Sequence, residues 1–332
     1  MRIMTPQRQD ALRITLTITI CMLAGKLLHL DSPVYLALYP TILMTKGKDY
    51  SWAGMLRTFL PTFAAASLAL LICEIFANHP FVIWTLSLLF FDTLRRRADT
   101  PAKAGAMLMP TFNWILIIVF SQHTSMDMPM RIHEIGLSML ITACVAKAML
   151  LILPQAKGGK PPAFSPKPVS FQQRLVSLGL IGGGLACLMI VDIVSATFCM
   201  VPVVAAATQP GRDKFLEVVE RRFITQVGGC AIAVIFTLLM AGHQSILSYY
   251  ALGLGTLIFL ITNWMTHADG PARDLHADAL LATLLPIQLY MGNQTLGLES
   301  TYLRAWELTV TLGILFTLHQ LTRRSDNTRQ AR

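Results

Sequence analysis

The feature that most constrains this chain is a succession of long apolar stretches separated by short, positively charged connections. An α-helix rises about 1.5 Å per residue, so about 20 apolar residues span the roughly 30 Å hydrocarbon core of a bilayer. Only 14% of the 332 residues are charged, whereas a typical soluble domain has about 25%. The pattern predicts an all-α, polytopic membrane protein with about twelve transmembrane segments, at 11–30, 34–45, 56–77, 81–94, 105–120, 135–153, 175–194, 196–207, 223–241, 246–264, 277–291 and 305–321.

The basic residues predict the orientation of these segments. Nearly all of the 27 Lys and Arg residues lie near the two termini or in alternate connections. Cytoplasmic loops carry an excess of Lys and Arg, so we expect a multi-pass protein with both termini in the cytoplasm. This topology signal accounts for the net charge of +9, and no nucleic-acid partner is expected. Segments 34–45 and 196–207 are short, and are interpreted as tilted crossings or, alternatively, as re-entrant segments.

Three sequence echoes relate the two halves of the chain in the same order. They are ADTPAK at 98–103 with ADGPAR at 268–273, Arg131-x-x-Glu134 with Arg304-x-x-Glu307, and the equally spaced pair Arg57 and His79 with Arg221 and His243, at offsets of 170, 173 and 164. The echoes predict a six-helix membrane repeat at 1–154, a cytoplasmic linker at 155–170, a second six-helix repeat at 171–322 and a cytoplasmic tail at 323–332. Because each half has an even number of segments, the repeats are expected to be parallel-related.

Catalytic and metal-binding patterns are missing from the sequence. No nucleotide-binding GxxxxGK[ST], HExxH or GxSxG motif occurs. The six cysteines lie inside or at the ends of apolar runs, and none forms a CxxC pair. We therefore expect no enzymatic activity, no cofactor, no metal site and no disulfide framework.

Polar side chains in or beside the apolar segments are the candidate transport residues, because charge is costly in a bilayer. Prolines interrupt the fifth segment of each half, which is where broken helices place a transport site. Candidate substrate-binding residues are Lys26, Asn113, Arg131, Lys147, Gln288 and Arg304. Candidate proton-relay or gating residues are Asp92, Asp99, Glu134, Asp269 and Glu307.

Each candidate also has a structural interpretation that the sequence leaves open. Lys26 lies near a segment end and can extend its ammonium group to the interface. Asp92 can pair with the basic run at 95–97, and each RxxE pair can neutralise itself across one helical turn. Asp99 and Asp269 can cap the helix that begins at the following proline and face the basic residue four positions later.

A family resemblance is carried mainly by the beginning of the chain. It consists of ALRITLTITICMLAGKLLHLDSPVYLALYPTILM, a basic loop and LRTFLPTFAAASLALLI, with a second arginine-then-small-residue pattern at Arg222, Gly228 and Gly229. This pattern resembles the fusaric acid resistance (FUSC-like), or aromatic acid exporter, family, in a short form without the cytoplasmic domain. The resemblance implies a bacterial inner-membrane exporter of aromatic carboxylic acids that works with a periplasmic adaptor of the membrane-fusion type.

The sequence and the resemblance together predict a secondary efflux transporter subunit for small organic anions, driven by the proton gradient. The candidate partners are the lipid bilayer, a small organic anion, the periplasmic adaptor and a second copy of the chain. Two alternatives stay open at this point. One is a passive anion channel of the same architecture, and the other is a non-transporting membrane scaffold that anchors an adaptor protein.

Overall fold

The computed structural model describes residues 5–47, 49–124, 127–154, 165, 167–191, 193–291 and 297–330, with the backbone alone for 322–330. Most of the predicted linker at 155–170 lies outside these residues. The described chain is helical and contains no strand. Its helices are α1 Pro6–Leu27, α2 Tyr35–Lys46, α3 Trp52–Ile75, α4 Pro80–Arg97, α5 Pro101–Ala106, α6 Leu108–His123, α7 Met128–Ile152, α8 Phe171–Ile190, a 3₁₀ helix Val194–Cys199, α9 Met200–Ala207, α10 Arg212–Leu239, α11 Leu247–His267, α12 Pro271–Tyr290 and α13 Leu298–Gln330.

The predicted helical character of the apolar segments is confirmed. Each segment overlaps one helix or two consecutive helices of the described chain. Six helical stretches there are long and apolar enough to cross a membrane: Trp52–Ile75, Pro101–His123, Met128–Ile152, Phe171–Ile190, Arg212–Leu239 and Leu247–His267. These lengths and compositions are those of a multi-pass membrane protein. The count of twelve crossings stays a prediction.

The second helix of each half is short. Helix α2 has 12 residues, about 18 Å at 1.5 Å per residue, which is less than the hydrocarbon thickness of a bilayer. Helix α9 has 8 residues and continues the 3₁₀ helix that precedes it. Both are apolar and mostly buried in protein. Short helices at membrane depth are tolerated where protein surrounds them, since their free backbone groups then find partners.

The chain forms two compact units, and each takes segments from both halves of the sequence. Unit 1 comprises Met1–Phe59, His133–Lys160 and Ile224–Ala305, whereas unit 2 comprises Leu60–Ile132, Pro161–Phe223 and Trp306–Arg332. Unit 1 therefore contains α1, α2 and most of α7 from the first half, with α11, α12 and the latter part of α10 from the second. Unit 2 contains the complementary set: α4 to α6 and most of α3, with α8, α9 and most of α13.

The division between the units follows the spacing of the sequence echoes. The boundaries inside α3 and α10, after Phe59 and Phe223, are 164 residues apart. Those inside α7 and α13, after Ile132 and Ala305, are 173 residues apart. These distances equal two of the three echo offsets. Each unit therefore combines the first, second and sixth predicted segments of one half with the third to fifth predicted segments of the other.

Helix packing inside each unit also follows this correspondence. In unit 1, α1 packs against α2 and α11, and α12 packs against α2. In unit 2, α8 packs against α9 and α4, and α6 packs against α9. The predicted repeat pairs α1 with α8, α2 with α9, α11 with α4, and α12 with α6. Three helix contacts of unit 1 therefore have a counterpart in unit 2.

Side-chain size sets how closely the helices of unit 1 approach each other. Ile14, Ile18 and Met22 recur every four residues on α1 and form a buried stripe in the core cluster. Gly229 of α10 lies so near α12 that a Cβ there would be 2.6 Å from the Cβ of Ala282. Small residues at helix contacts permit such close approach in membrane proteins.

Candidate functional site

A buried carboxylate holds the beginning of α2 in unit 1. Glu134 of α7 is only 2% exposed. Its two carboxylate oxygens accept hydrogen bonds from the backbone N–H groups of Asp31 and Ser32, at 2.8 Å and 2.9 Å. These N–H groups lie just before α2, where the helix dipole favours a negative charge. Hydrogen bonds to a carboxylate are strong, so Glu134 joins α7 to the connection that leads into α2.

The corresponding acid of the second half makes a similar contact in unit 2. Glu307 of α13 accepts a hydrogen bond from the hydroxyl of Ser195. Ser195 lies in the first turn of the 3₁₀ helix that leads into α9. In each unit, therefore, the acid of an RxxE motif contacts the start of a short second helix. The prediction that Glu134 and Glu307 act as gates is not tested by these contacts.

The arginines of the two RxxE motifs are buried. Arg131 lies in unit 2, with its guanidinium carbon 4.1 Å from the centroid of the Phe120 ring. Arg304 lies in unit 1, where it is 1% exposed and hydrogen-bonds the side chain of Cys230. Stacking over an aromatic ring is a favourable environment for a guanidinium group. Two predicted substrate-binding residues are thus cations enclosed by protein.

Lys26 and Gln288 lie beside the same part of α1 in unit 1. The ammonium group of Lys26 donates to the backbone oxygen of Gln244 at 2.6 Å and lies 4.2 Å from the centroid of the Tyr250 ring. The side-chain amide of Gln288 donates to the backbone oxygen of Met22 at 3.4 Å. The structure therefore places the amide of Gln288, on α12, against Met22 of α1, one helical turn before Lys26.

Asn113 and Lys147 lie apart from that pair. Asn113 of α6, in unit 2, is buried, and its amide donates to the backbone oxygen of Met109 at 3.1 Å. Lys147 of α7, in unit 1, has its ammonium group 5.7 Å from the centroid of the Trp52 ring.

Asp92 forms ion pairs with two arginines in unit 2. Arg96, one turn along α4, lies 2.8 Å from its carboxylate, as the sequence predicted. Arg174 of α8 binds both carboxylate oxygens at 2.7 Å, a contact that sequence reasoning missed. Arg95 instead turns inward, and its Nε donates to the hydroxyl of Ser177 at 3.1 Å. The bidentate pair joins α4 to α8.

The first ADxPA motif confirms one expectation and corrects another. Asp99 and Lys103 form the predicted ion pair, at 2.7 Å. The prediction that Asp99 caps the next helix is wrong, because the hydroxyl of Thr100 accepts from the Lys103 backbone N–H at the start of α5. Pro101 is the first helical residue, so the capping position belongs to the residue directly before it.

The second ADxPA motif differs from the first. Pro271 begins α12, as predicted, but Gly270 occupies the capping position with a φ of 53°, so the expected cap by Asp269 is also wrong. Glycine adopts positive φ without the steric cost that a side chain would bring. Arg273 was expected to face Asp269, and it instead lies 3.5 Å from the carboxylate of Asp10 on α1.

Asp278 is a charged residue that sequence reasoning missed. It lies on α12 in unit 1, is fully buried, and pairs with the ammonium group of Lys46 at the end of α2 at 2.8 Å. The sequence did indicate Asp278 as a candidate, because it is the sole acidic residue in the predicted segment 277–291. The pair joins the end of α2 to α12, whereas Glu134 hydrogen-bonds the residues that precede α2.

Comparison with known proteins identifies one family match. Residues 10–149, which run from α1 into α7, match a family described as a protein of unknown function, DUF2955. No curated protein and no solved structure matches the chain. The match covers less than half of the chain and carries no assigned activity, so functional proposals depend on the geometry of the buried charges.

Proposed function

We propose that the protein is a secondary transporter subunit that exports small organic anions across a bacterial inner membrane. The observation that carries this proposal is the burial of cationic side chains within an all-helical chain of membrane character. Arg13, Arg95, Arg131, Arg222 and Arg304 are each no more than 5% exposed. Burying a charged group is costly unless it is paired, and in membrane proteins such groups commonly mark functional sites. Enclosed guanidinium groups attract anions, and carboxylates bind their fork geometry well.

The short second helices support a transport function. Transporters place substrate near discontinuous or shortened helices, whose free ends offer backbone groups to ligands. In each unit such a helix begins at a contact with an acid, Glu134 or Glu307. Protonation of the acid removes its negative charge and weakens this contact. The two acids therefore couple proton binding to movement of α2 and of the 3₁₀ helix.

The other candidate residues have roles in this scheme. Lys26, Lys147, Arg131 and Arg304 attract the anion. Asn113 and Gln288 offer amide groups from the fifth helix of each half. The carboxylates Asp92, Asp99 and Asp269 belong to the cytoplasmic ends of the helices and regulate access from that side.

The architecture in the proposal is a twelve-segment membrane protein made of two six-helix repeats. The echoes, the matching unit boundaries and the equivalent helix contacts support it. The FUSC-like resemblance supports aromatic carboxylates as substrates and a periplasmic adaptor as a partner. Both termini lie in the cytoplasm, as the distribution of Lys and Arg indicates.

Flux in proteoliposomes tests the function. Vesicles with and without the protein are loaded with radiolabelled benzoate, salicylate or acetate, and efflux is followed with and without a pH gradient. We expect protein-dependent efflux that collapses with a protonophore. Glu134→Gln should abolish the response to the pH gradient, whereas Glu74→Gln, which changes an exposed acid of α3, should retain it.

Other outcomes of this experiment contradict the proposal in distinguishable ways. Flux that follows the anion gradient and ignores the pH gradient would identify a passive anion channel. If no anion flux occurs, and cells depend on the protein only together with its adaptor, the chain is a membrane scaffold.

A further inference from the structure

A cavity of about 250 Å³ lies in unit 1, beside the beginning of α1. Its walls come from α1, from Pro154 just after α7, from the end of α11 and from the beginning of α12. An apolar cavity of about 150 Å³ is large enough to bind benzene, so this one has room for a compact organic molecule. It lies at the helix ends that the distribution of basic residues assigns to the cytoplasm.

Two arginines and one carboxylate give the cavity a single net positive charge. Arg13 of α1 and Arg273 of α12 both line it, as does Asp10. Asp10 forms an ion pair with Arg13 and lies 3.5 Å from Arg273. Two guanidinium groups therefore share one carboxylate, and the remaining positive charge of the lining complements a monoanion.

Arg13 has a hydrogen-bond donor to spare. Its side chain is 3% exposed, and one terminal nitrogen donates to the backbone oxygen of Leu153 at 3.5 Å. The other terminal nitrogen donates to Asp10. The Nε–H has no hydrogen-bond partner within the described part of the chain. A buried donor without a partner is costly, so an anion that accepts from Arg13 would be favoured.

The equivalent region of unit 2 is arranged differently. With the offset of 170, Asp92 and Arg96 of α4 correspond to Thr262 and Thr266 of α11. In unit 2, Asp92 is bound by Arg174 from α8. In unit 1, Thr262 and Thr15 share a 2.8 Å hydrogen bond, and Thr266 lines the cavity. Unit 2 therefore joins these helices by an ion pair, whereas unit 1 joins them by a hydroxyl contact beside the cavity.

We propose that this cavity is a cytoplasmic binding site for a small organic monocarboxylate, which displaces Asp10 from Arg273 and accepts from Arg13. Two guanidinium groups bind a carboxylate through paired N–H···O contacts, and the cavity holds the compact body of the molecule. The carboxylate of Asp10 competes with the ligand. The assignment of this site as the place where substrate is loaded rests on the proposed transport function.

Equilibrium binding to the purified protein in nanodiscs, without any gradient, tests the site. Benzoate is the probe, and titration calorimetry gives its Kd. We expect Arg273→Gln to weaken binding at least about 10-fold, which corresponds to the loss of one charge-assisted contact of about 1.4 kcal/mol. Asp10→Asn should tighten binding several-fold, because it removes the competing carboxylate. Lys103→Gln, at the position equivalent to Arg273 in unit 2, is the matched control and should leave Kd unchanged.

The two variants at the cavity keep the proposal falsifiable without altering the buried Arg13. Arg273 is 43% exposed, so its replacement is compatible with folding. Absence of benzoate binding to the natural protein, or a Kd that neither variant changes, would overturn the site. Inorganic phosphate binding more tightly than benzoate would overturn the monocarboxylate assignment.

Failure of the site and failure of the transport function are distinguishable. Benzoate binding that depends on Arg273 but is accompanied by no flux in proteoliposomes would refute transport and leave the site intact. Proton-coupled flux with an unchanged KM in Arg273→Gln would support transport and refute the site.

Discussion

The ion pair between Lys46 and Asp278 offers the sharpest test of the packing of unit 1. The two charged groups are 2.8 Å apart, with side chains 39% and 0% exposed. Removal of one partner from a buried ion pair costs about 3–5 kcal/mol, because the remaining buried charge loses that electrostatic contact. Since Lys46 is partly exposed, we expect Lys46→Met to lower the free energy of unfolding by about 3 kcal/mol, the lower end of that range.

A second ion pair in the same chain supplies the matched control. Lys103 and Asp99 are separated by 2.7 Å, but their side chains are 59% and 30% exposed. Exposed pairs contribute about 0.2–1 kcal/mol, so Lys103→Met should cost less than about 1 kcal/mol. Both substitutions remove an ammonium group that lies at nearly the same distance from a carboxylate. The difference between their effects on the free energy of unfolding therefore measures the effect of burying the acid.

The order of the variants at the buried pair follows from which charge is enclosed. Asp278→Asn removes the fully buried charge and leaves a lysine that can reach water, so it should cost less than Lys46→Met. The double variant should cost less than the sum of the two single variants, since they share one interaction.

Unfolding of the purified protein by SDS titration, followed by tryptophan fluorescence, measures these differences. Equal losses in Lys46→Met and Lys103→Met would refute the reasoning from burial. A larger loss in Asp278→Asn than in Lys46→Met would show that the acid carries the stabilisation through contacts other than this pair.

Three further predictions concern helix packing, the contact of Glu134 and the composition of the two units. Gly229→Ala should destabilise the protein by about 1–3 kcal/mol because its Cβ would clash with α12, whereas Gly228→Ala, with open space around it, should cost little; thermal melts compare the two. Glu134→Gln should cost about 1–3 kcal/mol through weaker contacts at α2, and an effect no larger than that of Glu74→Gln would contradict the anchoring role. Two separate polypeptides, cut within the linker, should co-purify when co-expressed, because each unit needs helices from both halves; halves that purify independently as stable monomers would contradict this arrangement.

Local features of the fold and site were predictable because the residues that form them lie within about one helical turn of each other in the chain. Hydropathy predicted where helices form, and the spacing of four residues predicted the Asp92–Arg96 and Asp99–Lys103 pairs. The capping predictions for Asp99 and Asp269 were wrong for an equally local reason. A proline in the first helical position assigns the cap to the residue before it, and this could have been read from the motif.

Contacts between distant residues could not be predicted in the same way. Arg174 lies 82 residues from Asp92, Glu134 lies 103 from Asp31, and Lys46 lies 232 from Asp278. A periodic pattern shows which residues share a helix face, but it does not show which helix covers that face. The same limit concealed the cavity beside Arg13.

The sequence by itself determined the all-helical membrane class, the positions of the helices, and the echoes that suggest a repeat. These properties depend on hydropathy and on residues close together in the chain. Only the tertiary structure decided which helices share a compact unit, and it combined the first, second and sixth helices of one half with the third to fifth of the other. The physical reason is that helix pairing depends on complementary side chains at close approach, such as Gly229 against α12 and Glu134 against the start of α2, and linear order does not encode those pairings.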